Sequence, residues 1–218
     1  MLRKIDIENN PYIGVFCRAN EKFLLAPHNA HQTALARISE ALGVELIIFS
    51  VGGCTLIGSL VCSNSHGALL SNIANNSETR QLGAIIPAEV LNDRLNALGN
   101  NILANDFGAV VNPDYGKKSI EQIGNALGVK AVGGTVAALK TVGATAIATN
   151  KGVLCHPHTT DKEIALLRET LGVPVSIGTL NYGTPMIGAC ILANSRGAVV
   201  GTPTTTVEIG RVQDALEL

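Results

Sequence analysis

The chain has 218 residues, enough for one large domain or two small ones, and 46% of them are apolar, which supplies a core and excludes a disordered protein. Aromatic residues make up only 3%, with no Trp, so that core must be built from Ala, Val, Ile and Leu. With 16 basic and 17 acidic residues the charge nearly cancels, which excludes binding by broad neutralisation of a phosphate backbone and leaves only local nucleic-acid contact.

The first segment, Leu2 to Ile7, alternates like a strand and lacks the apolar run of a signal peptide. From residue 13 onward one phrase recurs, an apolar residue followed by Gly and, six positions after that Gly, an Asn or Thr. Its copies are Ile13-Gly14 to Asn20, Ile57-Gly58 to Asn64, Leu98-Gly99 to Asn105, Val142-Gly143 to Thr149 and Ile187-Gly188 to Asn194. The glycines lie 41 to 45 residues apart, which is the period of a repeat architecture.

Within a copy the elements follow in a fixed order. The run after each Gly, such as Ala189 to Ala193, is apolar on both faces and predicts a strand buried on both sides. The residue before the Asn or Thr is small in every copy (Ala19, Ser63, Ala104, Ala148, Ala193), which predicts strands crowded around an axis. Three residues beyond it comes Gly67, Gly108, Gly152 or Gly197, and Asn-x-x-Gly between apolar runs predicts a hairpin in which Gly supplies a positive φ. The first copy has Phe23 there, so its turn is expected to differ.

A helix follows, with the stripes Leu35/Ile38/Leu42, Ile120/Ile123/Leu127, Ile164/Leu167/Leu171 and Ile209/Val212/Leu216. Thr160-x-x-Glu163 and Thr205-x-x-Glu208 read as capping boxes, and Gly43, Gly128 and Gly172 as left-handed ends. Each helix leads to a short strand, at Val44 to Ile48, Ala84 to Ile86, Val129 to Val132 and Val173 to Ile177. The second copy is irregular, carrying an extra segment from Pro87 to Ala97. The fifth helix has no strand after it, and Leu2 to Ile7 has the length and alternation to supply one. The expected fold is therefore α/β, a five-bladed propeller with pseudo-fivefold symmetry, a single domain over residues 1–218. Its repeats run at about 11–54, 55–95, 96–140, 141–185 and 186–218 plus strand 2–7.

Five cysteines without a CxxC pair fit a reducing compartment, and the uncharged run 46–65, broken by Gly52-Gly53 and Gly58, reads as two strands rather than a membrane span. A soluble cytoplasmic protein is expected. His156-Pro157-His158 after Cys155 is the one cluster resembling site chemistry, but no third ligand is placed near it and no phosphate-cradling Gly motif is present, so neither metal nor cofactor is expected. The turn residues Asn20, Asn64, Asn105, Asn194 and Thr149-Asn150 can serve the turn, a partner, or both, because ring closure brings all five turns to one face. Asp106, Phe107, Lys22, Lys151 and Arg196 at the tips are not dictated by turn geometry, and an exposed Phe107 suggests a contact.

Several stretches in fixed order resemble the archaeal translation initiation factor six family. They are Val51 to Leu60, Leu95 to Asn100 leading to Ala104-Asn105-Asp106, Thr149 to Gly152, and Ile187 to Cys190 leading to Ala193 to Gly201. The resemblance covers the whole chain and implies a pentein propeller that binds the large ribosomal subunit on its intersubunit side. Contacts would be mainly with ribosomal proteins near the sarcin-ricin loop, with limited local rRNA contact, and would sterically block small-subunit joining. It implies a monomer with no membrane, small-molecule substrate or catalytic role, and a ribosome-binding face including Asn64, Asn105, Asp106, Asn150 and Asn194, with Thr55 and Ser59 flanking and Phe107 beside them. On that reading Asn105→Ala weakens association and leaves unfolding nearly unchanged. Two alternatives stay open, a pentein-type guanidino-group hydrolase or transferase with a Cys/His site, and a generic protein-binding scaffold.

Overall fold

Each recurrence of the Gly-Asn phrase opens a unit whose elements follow in the same order, five in units one to four and four in unit five. The computed structural model describes residues 1–218 as a mixed α/β protein with ten helices and five separate three-stranded sheets, none closed on itself. Strand β1 (Leu2–Lys4) comes first. Unit one holds α1 (Ile13–Phe16), β2 (Arg18–Ala19), β3 (Phe23–Ala26), α2 (Gln32–Leu42) and β4 (Glu45–Ile48). Unit two holds α3 (Ile57–Leu60), β5 (Val61–Ser63), β6 (Ala68–Ser71), α4 (Asn76–Gly83) and β7 (Ala88–Leu91). Unit three holds α5 (Leu98–Asn101), β8 (Ile102–Ala104), β9 (Gly108–Val111), α6 (Lys117–Leu127) and β10 (Lys130–Gly133). Unit four holds α7 (Val142–Thr145), β11 (Ala146–Ala148), β12 (Val153–Cys155), α8 (Asp161–Leu171) and β13 (Val175–Ile177). Unit five ends the chain with α9 (Ile187–Cys190), β14 (Ile191–Ala193), β15 (Ala198–Val200) and α10 (Thr206–Leu216).

In every sheet the middle strand pairs antiparallel with the inner strand before it and parallel with an outer strand. For unit five the outer strand is β1, which pairs in parallel with β15 through Leu2↔Ala198 to Lys4↔Val200, so the two ends of the chain meet as expected. The strand expected at Ala84 to Ile86 is not there. Ala84 instead follows α4 in helical backbone, and the outer strand β7 lies in the extra segment at Ala88–Leu91.

The apolar run after each anchoring Gly is also not all strand. Its first residues form a one-turn helix and only the last two or three extend, because the anchoring glycines pack against one another. A Cβ on Gly14 would overlap the carbonyl oxygen of Gly188, one on Gly58 that of Gly14, and so on through Gly99 and Gly143 to Gly188. Only glycine permits that approach. The one-turn helices accordingly touch in a cycle, α1 to α3, α5, α7, α9 and back to α1, and the inner strands β2, β5, β8, β11 and β14 do the same.

The hairpin glycines serve a similar purpose. None of Gly67, Gly108, Gly152 or Gly197 has the positive φ expected of it. A Cβ at these positions would instead overlap a carbonyl oxygen in the last turn of the next unit's helix, at Ala126, Thr170, Ala215 and Ala41 respectively. Unit one faces the short helix α4, and there Phe23 takes the glycine's place, buried with Leu82. Its turn keeps the same backbone bond, Asn20 N–H to Phe23 carbonyl at 3.1 Å, where Asn64 N–H bonds Gly67 at 3.1 Å.

The cores lie at the seams. One cluster joins Phe23 and Leu25 of unit one to Val61, Leu70 and Leu82 of unit two, the next joins Cys62 and Leu69 to Ile102 and Ile123, and Leu192 and Val199 of unit five pack with Cys17, Leu24 and Leu35 of unit one. No unit holds a core of its own, as in repeat proteins generally. The helix stripes point into these seams, fully buried in α2, while Ile120, Ile164 and Ile209 are half-buried.

Both predicted capping boxes form, and a third, Asn75 with Glu78, was not read from the sequence. Each capping glutamate also clamps the tight turn that leads into its own unit. Glu78 accepts from Gly52 and Gly53 N–H, Glu163 from Ala138 N–H and the Thr135 hydroxyl, and Glu208 from Tyr182 and Gly183 N–H. No helix is long and apolar enough to cross a membrane.

Two consequences are measurable. Gly58→Ala forces a methyl into two backbone carbonyls, of Gly14 and Cys17, and should cost at least ~3 kcal/mol in urea unfolding; a loss below ~1 kcal/mol would contradict the close packing. Burial raises the Glu163 pKa, but hydrogen bonds from Thr135, Thr160 and Ala138 outweigh it and bring it from 4.5 to about 2. A pKa depressed on folding stabilises the protein above the unfolded value, with the contribution lost as pH falls toward 2. Glu163→Gln should therefore cost about 1–2 kcal/mol at pH 7, after discounting for its partial exposure, and nearly nothing at pH 2. A pH-independent difference between the two unfolding curves would refute this.

Candidate functional site

The five hairpin tips and the C-terminal ends of the helices share one face. In each turn the side-chain oxygen of the lead residue accepts from the backbone N–H groups two and three residues on. Asn105 Oδ1 takes Phe107 N–H at 3.0 Å and Gly108 N–H at 3.1 Å, and Asn20, Asn64 and Asn194 repeat the pattern. Thr149 Oγ1 does the same at 3.1 and 3.2 Å.

The amide nitrogens point onward. Asn20 Nδ2 donates to Asn64 carbonyl at 2.9 Å, Asn64 to Asn105 at 3.1 Å, Asn105 to Thr149 at 3.0 Å and Asn194 to Asn20 at 3.2 Å. The second N–H of three of them caps the next unit's helix, at Leu127, Leu171 and Leu42. Four hydrogen bonds saturate an amide of this kind. Asn20, Asn64, Asn105 and Asn194 are all buried, and their amides face the neighbouring unit rather than solvent.

The tip residues divide into two layers. Those directly after the lead residue bond each other. Asp106 accepts from Ser65 N–H and Oγ at 2.7 Å and from Asn150 Nδ2 at 2.7 Å, and Glu21 accepts from Ser195 N–H and Oγ at 2.8 and 2.7 Å. Partial burial raises the Asp106 pKa, but the bonds from Ser65 and Asn150 prevail and hold it below the usual carboxylate value. The next residues lie over the neighbouring helix ends, His66 against Gly128, Phe107 against Gly172 and Arg196 against Gly43, while Lys151 Nζ donates to the Glu217 carbonyl at 2.9 Å. Phe107 thus has a packing partner, yet remains 56% exposed.

Asn64, Asn105, Asp106, Phe107, Asn150 and Asn194 therefore come together on the tip face, the first, second and last of them beneath it. Thr55 and Ser59 do not join them. Thr55 precedes α3 and Ser59 lies within it, at the far end of β5 from the tip of unit two, and both are half-buried. The layer of cationic or aromatic residues seated on helix ends was not read from the sequence, although its signal, the residue before each hairpin glycine, was in plain sight.

Inside the ring of tips runs a narrow axial cavity of about 40 Å³, lined by residues of all five units from Gly14 and Gly188 at one end to Glu21, Asp106 and Asn150 at the other. The cysteines offer no activated thiol to it. Burial pushes Cys17, Cys62 and Cys155 up and Cys190 to about 12, the reverse of what a nucleophile requires. His156 is buried and spent on a turn, its Nδ1 accepting His158 N–H at 3.1 Å; burial, and His158 beside it, lower its pKa. No group of three or more His, Cys, Asp or Glu is disposed to hold a metal.

A model of the eIF-6 family matches residues 2–215. Translation initiation factor 6 of Methanosarcina mazei is 41% identical over 216 residues, covering 99% of this chain and 98% of that protein. The proteins of the same name from Pyrococcus horikoshii and Thermoplasma acidophilum are 36% and 35% identical, each over 99% of this chain, covering 98% and 100% of their own lengths.

The buried amide reverses the sequence-based expectation for Asn105→Ala. The substitution strands the carbonyls of Thr149 and Leu171 and two turn N–H groups, so it should lower unfolding free energy by at least ~2 kcal/mol. An unfolding curve indistinguishable from the unaltered protein would restore a purely surface role.

Proposed function

The chain belongs to the eIF-6 family, and from that premise we propose that it binds the large ribosomal subunit at its intersubunit face, through its own tip face, and blocks joining of the small subunit. Its relatives are named as translation initiation factors, which puts the role in protein biosynthesis. The observation that carries the reading is the family match across residues 2–215.

The geometry supplies a suitable surface. The five units act as one propeller domain over residues 1–218, and the protein works as a monomer. Its tip face is held by hydrogen bonds that docking need not form, so little conformational freedom remains to be lost on binding. Phe107, with Asp106 and Asn150 beside it, is the aromatic anchor, and Lys22, Lys151 and Arg196 supply the local positive charge that a limited rRNA contact needs. Asn64, Asn105 and Asn194 act from below, fixing the tips. Thr55 and Ser59 reach the subunit only if it also contacts the side of unit two. The mechanism is steric exclusion, with no bond made or broken, and the remaining contacts are with ribosomal proteins near the sarcin-ricin loop.

Mixed with purified subunits and sedimented, the protein should travel with large subunits, ignore small ones and reduce the joined particle. Phe107→Glu should weaken that association at least tenfold while the unfolding free energy stays within ~1 kcal/mol. Protein left at the top of the gradient at stoichiometric concentration overturns the assignment, and full binding by Phe107→Glu removes the tip face from it.

A further inference from the structure

The wall of the axial cavity breaks the repeat in two adjoining places. Two residues before each turn Asn or Thr stand Arg18, Cys62, Leu103, Ile147 and Leu192, so one unit puts a guanidinium where the others put a thiol or a hydrocarbon. One residue before it stand Ala19, Ser63, Ala104, Ala148 and Ala193, so one unit puts a hydroxyl where the others put a methyl. Both departures fall at the seam between units one and two, and Arg18 and Ser63 both line the cavity.

Neither group has all of its donors satisfied by the protein. Arg18 Nη2 lies 3.8 Å from the Cys62 sulfur, a weak acceptor, and its Nε, shielded from solvent, donates to nothing. Arg18 pairs with no carboxylate; the ion pairs of the protein are Arg3–Glu40 and Lys140–Asp114. The two acids at the cavity mouth are engaged with Ser195, and with Ser65 and Asn150. Ser63 Oγ accepts from Asn20 Nδ2 at 3.4 Å but donates to no group, although the residue is only 3% exposed. A guanidinium cannot neutralise itself by losing its proton, and the half-buried Arg18 has no counter-charge within the protein.

We infer that the axial cavity binds one small oxyanion, held by the guanidinium of Arg18 and the hydroxyl of Ser63. Adjacent N–H groups of a guanidinium match two oxygens of a phosphate, sulfate or carboxylate. The cavity of about 40 Å³ has room for roughly three water molecules, about the bulk of such an ion. Glu21 and Asp106 at the mouth oppose entry, so recognition comes from the fork and hydroxyl at short range rather than from long-range attraction. The inference is independent of the ribosomal reading.

Equilibrium dialysis of the whole protein against labelled inorganic phosphate, at fixed ionic strength, tests it. One phosphate per chain should bind; Arg18→Met should weaken uptake at least tenfold and Ser63→Ala several-fold. The melting temperature of the unaltered protein should rise with phosphate and that of Arg18→Met should not, although both fold. Sulfate and acetate, run as competitors, should displace the label. Should Arg18→Met not fold, the Ser63→Ala comparison and the competition stand alone. No uptake by the unaltered protein up to 50 mM phosphate, or uptake undiminished by loss of the guanidinium or the hydroxyl, overturns the assignment.

Discussion

Five glycine Cα atoms, each pressed against the carbonyl oxygen of the glycine one unit back, set the spacing on which everything else depends. Because Gly14 meets Gly188 as Gly58 meets Gly14, the series of contacts returns on itself, and no member admits a side chain. That approach shortens the first part of each apolar run into a helical turn and draws the inner strands together, which is why Ala or Ser precedes each lead residue. It also divides the hydrophobic core into five seams. A unit removed from its neighbours would expose half of two cores, so the units are stable only together.

A second set of contacts tightens the same seams at the other end. The lead asparagines accept from their own turn and donate to the carbonyls of the next, while the hairpin glycines let the tips sit on the neighbouring helix ends. Where the neighbouring helix is short, at α4, the glycine gives way to Phe23 and the helix-capping bond is missing. Where the lead residue is Thr149, which has no amide, Lys151 reaches the end of α10 instead. A surface assembled in this way is a by-product of closure, held by contacts that the fold itself makes.

Much of this was legible in the sequence because the repeat supplies five readings of each position. The hairpins, the helix stripes, the capping boxes at Thr160 and Thr205, the left-handed Gly43, Gly128 and Gly172, and the pairing of the N-terminal strand with the last hairpin all follow from pattern. What pattern could not give was the reason for a residue. The pattern gives Gly67 and its counterparts a backbone angle, when their constraint is a carbonyl from another unit. The asparagines are visible as a set, open in the sequence to turn service, a partner or both; in space their amides turn inward, since an amide that completes a turn has two further donors to satisfy. The outer strand of unit two falls at Ala88–Leu91 rather than at Ala84 to Ile86, inside the extra segment Pro87 to Ala97, because a single irregular copy has no partner to correct its reading. Arg18 passed unnoticed for the opposite reason, as a lone charge in a column of apolar residues that only the cavity makes conspicuous.

The central claim is that closure makes five units one cooperative body. The backbone N–H groups of Asn20, Asn64, Asn105, Thr149 and Asn194 each close the same turn, one per unit, and native-state hydrogen exchange reads their opening separately. The account predicts that all five exchange with one free energy, equal to that of global unfolding. If one unit's amide exchanges several kcal/mol below the other four, the units open independently and the glycine contacts do not hold the body together.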